Sequence, residues 1–163
     1  MTAIVEVAVA LVPVVGLIFT ASTNRRAQYD RVLEVTALLT SGDIVESRHA
    51  AGIKFETVAL STPSTISNPI VNLTEEELKA LFDVLWAFER INGLFVSLQH
   101  SWLSFRLSKA QKLLLDVSAG PITMWSSYVQ FDIRGLSGKR IDLVPSKNGL
   151  VNLAEKLRVH QSR

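Results

Sequence analysis

The residue whose type and position most invite chemistry is Glu89. It lies four after Leu85 and seven after Phe82, so a helix through this stretch carries the carboxylate onto its apolar stripe, where a lone charge is costly. Glu89 therefore requires a partner. Arg48, Arg106 and Arg134 each stand near an apolar segment, and an Arg fork can satisfy both carboxylate oxygens. Paired in that way, Glu89 is a structural ion pair that sets how helices dock. In a pocket, with Arg134 beside it, the same carboxylate would be a general acid or base.

The other reactive residue types are scattered. His49, His100 and His160 are scattered, with no second His three or four positions away, and the chain has Cys 0, so neither a metal site nor a thiolate nucleophile is expected, and no cofactor is implied. Gly135-Leu136-Ser137-Gly138-Lys139-Arg140 has glycines before a lysine. Its spacing is too short for a phosphate loop, however, and Arg140 stands where Ser or Thr must hold magnesium, so a turn is expected. Asn72-Leu73-Thr74 is formally a glycosylation acceptor, but Thr74 is also placed to cap a helix.

These residues must be held by a domain that follows an apolar start. From Ala3 to Ala21 the only charged side chain is Glu6, and a helix of that length spans roughly 28 Å, close to a bilayer's hydrocarbon core. A cleaved signal would need a basic start, which Met1 to Val5 lacks, so residues 1–23 read as an uncleaved transmembrane anchor. Pro13 and Gly16 within it imply a kink. Arg25, Arg26 and Arg31 flank its end; they predict an inner-membrane, single-pass topology with the N-terminus outside and residues 24–163 in the cytoplasm.

Of 163 residues, 48% are hydrophobic and 20% charged, a composition suited to one domain with a single core behind the anchor. All 17 Lys and Arg follow the anchor, as do all 15 Asp and Glu except Glu6. That balance is too mixed for a dedicated nucleic-acid binder.

The expected fold is mainly α, a small helical bundle. Ser22 to Thr40 continues the membrane helix, stopped by Ser41 and Gly42; a short helix over Asp43 to Ala51 ends at Gly52. Ile53 to Val71, with Pro63 and Pro69, reads as an irregular or short hairpin insertion. Thr74 with Glu77, and Ser108 with Gln111, form capping boxes. The first opens a helix with Leu78, Leu81, Phe82, Leu85 and Phe88 on one face, which Gly93 ends or weakens before Trp102 and Phe105 continue the rhythm. Gly120-Pro121 marks a break, after which Tyr128 to Ile133 is either helical or, by its alternation, a strand. A last helix is expected over Gly149 to His160, with Leu150, Leu153, Ala154 and Leu157 inward.

In order, an N-terminal membrane helix, Trp86-Ala87-Phe88-Glu89-Arg90, Trp125 with Tyr128 and Arg134, and a closing Leu153-Ala154-Glu155-Lys156-Leu157 resemble a family of bacterial and phage membrane-anchored helical proteins of unknown function. The resemblance implies a fold and a location and supplies no catalytic residue. Two classes of function fit. One is a non-enzymatic interaction module, tethered to the lipid bilayer and binding a protein partner in envelope organisation, signalling or phage exclusion. The other is a membrane-bound enzyme with a carboxylate and arginine site at Glu89 and Arg134.

Overall fold

A computed structural model of the chain describes residues 23–24, 26–63, 68–98 and 107–162. The proposed anchor, Ala3 to Ala21, lies outside them, as do Arg25, His100, Trp102, Phe105 and Arg106. No helix among the described residues is long and apolar enough to cross a membrane.

The described fold is mainly helical. Helix α1 covers residues 26–37 and tightens into a 3-10 turn, Leu38–Thr40. Then follow α2 (Gly42–Ser61), β1 (Ile70–Leu73), α3 (Glu75–Ser97), α4 (Lys109–Tyr128), β2 (Asp132–Gly135) and α5 (Val144–Gln161). Helix α3 is central, packed closely against α2 on one side and α5 on the other. Leu81, Val84, Leu85, Phe88 and Ile91 form its fully buried stripe.

Both capping boxes form. Thr74 Oγ1 accepts from Glu77 N at 3.1 Å while Glu77 Oε2 accepts from Thr74 N at 2.8 Å. Ser108 and Gln111 do the same at 3.1 and 2.9 Å, satisfying N–H groups that a helix start leaves bare. Gln111 is buried, and its side-chain amide also donates to Phe95 O at 2.9 Å, tying the start of α4 to the end of α3.

Two expected breaks, at Gly52 and Gly120-Pro121, are absent, and of the two readings of Gly93 the helix runs on through it. Gly52 does not end α2, which continues to Ser61 through what reads as an irregular or hairpin insertion. The reason is the stripe beyond it: Ala51 and Phe55 are fully buried, with Val58 packed against the core. Gly93 lies inside α3, followed by buried Phe95. Gly120-Pro121 lies inside α4. Pro121 forfeits the hydrogen bond to Val117 O, a loss of about 3 kcal/mol, but Ile122 and Trp125 beyond it are both fully buried, each adding about 2 kcal/mol or more. The last helix starts earlier than expected, at Val144.

The remainder of Ile53 to Val71 holds no internal hairpin among its described residues. Its end belongs to β1, which pairs in parallel with β2: Ile70 with Asp132, Val71 with Ile133, Asn72 with Arg134 and Leu73 with Gly135. Parallel pairing requires a long crossover, which α3 and α4 supply. Val71, Leu73 and Ile133 face the core. The alternation from Tyr128 to Ile133 is thus divided, Tyr128 closing α4 and Asp132 opening β2. The chain then folds back. Ile141 N donates to Ile133 O at 2.8 Å, and the intervening turn places Gly138 at φ 75°, a region that favours glycine. Gly135 to Arg140 is the expected turn.

Candidate functional site

A groove of about 1170 Å³ lies between the second half of α4, the β2 hairpin and α5. Helical spacing builds its walls. On α4, Ile122, Ser126 and Val129 step by four and three; on α5, Lys147, Val151, Ala154, Arg158 and Gln161 step by four, three, four and three. Residues at those intervals share a face.

The floor is aliphatic. Ile122, Val129, Ile133, Leu143 and Leu157 line it and are buried. Phe131 joins them and belongs to an aromatic cluster: its ring centroid lies 5.8 Å from Phe55 and 5.9 Å from Tyr128. Tyr128 stacks on Phe55 at 5.1 Å, and Trp125 meets both rings edge-on. These contacts lock the end of α4 onto α2. Burial, with the nearby Glu56 charge, raises the Tyr128 hydroxyl above its ordinary pKa. Beyond the α4 end of the groove, His160 Nε2 lies 2.9 Å from Asp116 Oδ1, joining α5 to α4.

The rim is charged. Arg140, Lys147 and Arg158 line the groove with Asp142 and Glu155. Arg140 Nε lies 3.3 Å from Asp132 Oδ1, and Asp142 has an interaction of its own. Lys147 is half-buried and Arg158 exposed, and neither is in an ion pair among the described residues.

The residues singled out from sequence are placed elsewhere. Glu89 sits where α3 meets α5, and its Oε1 accepts from the backbone N–H of Gly149. The expected ion pair with Arg48 or Arg134 is not formed. Arg48 donates instead to Leu39 O at the end of the 3-10 turn, and Arg134 reaches only two residues back, its Nε and Nη2 lying 3.0 and 2.6 Å from Asp132 Oδ2. A backbone N–H in a closely packed helix competes successfully with a distant guanidinium because it needs no side chain to be ordered. Arg106 lies outside the described residues. Glu89 and Arg134, the pair expected of a carboxylate and arginine site, are engaged separately on α3 and β2.

His49 is exposed on α2, and the described residues hold no group of three or more His, Cys, Asp or Glu that could bind a metal ion. Asn72 is exposed on β1, and Thr74 Oγ1 is used in the cap of α3.

Sequence reasoning missed the groove. Its one signal was the breadth of the apolar arc on α5: Leu150, Leu153 and Leu157 fill the core, yet Val151 and Ala154 extend the arc around the helix, and Val151 is 46% exposed. A helix needing one buried face has no use for the second. Compared with family models, with curated proteins and with solved structures, the chain finds no match in any of the three.

Proposed function

We propose that this chain is a membrane-tethered interaction module that receives a partner in the groove between α4 and α5. The observation that carries the reading is the groove itself, in which exposed Val151 and half-buried Phe131, Ile141 and Ala154 present apolar surface over a buried aliphatic floor and beneath a charged rim. A large concavity that sets exposed apolar surface beside polar and charged groups offers both binding energy and specificity. Glu89 serves the crossing of α3 and α5, and Arg134 holds the β2 hairpin; both are structural in this reading.

Tethering rests on the sequence. Ala3 to Ala21 has the length and composition of a spanning helix, the arginines after it favour a cytoplasmic domain, and the resemblance to membrane-anchored helical proteins agrees with both. A photo-crosslinking residue at Val151 or Thr123, in native membranes, should give a discrete adduct, whereas one at Glu76, exposed at the start of α3, should not. Equal adducts from all three sites would overturn the docking role. A reporter fused after Arg163 should be active only in the cytosol; activity outside it would overturn the orientation.

A further inference from the structure

The charge on the groove's rim identifies what it would receive. Resting on the docking role proposed above, we propose that the occupant is an acidic amphipathic helix of a partner protein, seated between α4 and α5 with its carboxylates against Lys147 and Arg158.

The shape supports a helix. From Lys147 to Gln161, α5 lines the groove over about 21 Å, the length of about four helical turns. Both long walls are helices, and a third laid between them would bury its apolar face on Phe131, Val151 and Ala154, the arrangement by which proteins take up helical segments.

The charge supports an acidic partner. Lys147 is half-buried in the groove and, among the described residues, has no ion pair, nor has Arg158, three turns along the same face. Asp142 is already engaged and Arg140 faces Asp132, so that among the described residues Glu155 is the one groove carboxylate without a partner against two such cations. Carboxylates delivered along α5 would meet Lys147 at one end of the groove and Arg158 at the other.

The test uses the full chain in nanodiscs and two fluorescein-labelled amphipathic peptides of about 16 residues, four helical turns and a little more. One carries leucines at i, i+3, i+4 and i+7 with glutamates at both ends; the other has lysines for those glutamates. Fluorescence anisotropy should show the acidic peptide binding at least tenfold more tightly. Lys147→Glu and, at an exposed position with no fold to disturb, Arg158→Glu should each weaken it about tenfold and strengthen the basic peptide. Equal affinity of the two peptides, or no effect of either reversal, overturns the acidic partner. Should Val151 still crosslink in membranes, that result leaves the docking role standing; if Val151 gives no adduct either, the docking role falls with it.

Discussion

Gly149 and Glu89 meet so closely that a β-carbon on the glycine would stand 2.8 Å from the glutamate's Cδ and 2.9 Å from its Cα. The absent side chain lets α5 approach α3 until the Gly149 N–H reaches the carboxylate. One residue thus supplies both the room and the hydrogen bond.

Gly149→Ala should therefore destabilise the protein by about 1 to 3 kcal/mol, since part of the clash is with backbone and cannot swing aside. Glu89→Ala should cost about 1.5 to 3 kcal/mol by removing a charged acceptor from a helix N–H, and Glu89→Gln less, because an acceptor oxygen remains. In thermal melts the double variant Gly149→Ala with Glu89→Ala should fall short of the sum of its parts. Strict additivity would show that the two residues act independently.

Gly52→Ala should have the opposite sign. A β-carbon there meets nothing within 4 Å, so alanine adds helix propensity at no steric cost, about 0.5 to 1 kcal/mol. A lower melting temperature would contradict an unbroken α2 through Gly52.

Ser118 is fully buried and, among the described residues, its hydroxyl has no hydrogen-bond partner. Ser118→Ala should stabilise by about 1 kcal/mol, removing a desolvated polar group while improving helix propensity. Chemical denaturation checks it: a loss of stability would reveal a partner for the hydroxyl.

Tyr128 makes stability sensitive to alkali. Its pKa is raised in the fold by burial and then by Glu56, so the neutral phenol is favoured in the native state. The stabilisation is fully present below the unfolded value of about 10 and is lost as pH rises from there through the folded value. Melting temperatures above pH 10 should fall less steeply for Tyr128→Phe than for the wild type. Parallel curves would assign the alkaline loss to other groups.

Much of the helical architecture was legible because its signals are local. A capping box needs only residues three apart, and both boxes, Thr74 with Glu77 and Ser108 with Gln111, form as read. The apolar period around Leu81, Leu85 and Phe88 likewise placed the central buried stripe. The breakers misled for the complementary reason: a glycine or proline carries a local cost of about 1 or 3 kcal/mol, whereas whether Phe55 or Trp125 beyond it will be buried is settled by distant chain.

Sequence by itself determined the helical class, the capped starts of α3 and α4, and a carboxylate on α3 that had to find a partner. Tertiary structure alone decided which partner, because backbone N–H groups belong to nearly every residue and Gly149 stands out only once α5 lies across α3. It also decided the pairing of Ile70 with Asp132, a long-range contact whose register no local pattern encodes. The groove is the clearest case. Val151 and Ile122 are ordinary apolar residues in their own helices, and the concavity exists only where two helix faces and a hairpin are brought together with no other described element between them.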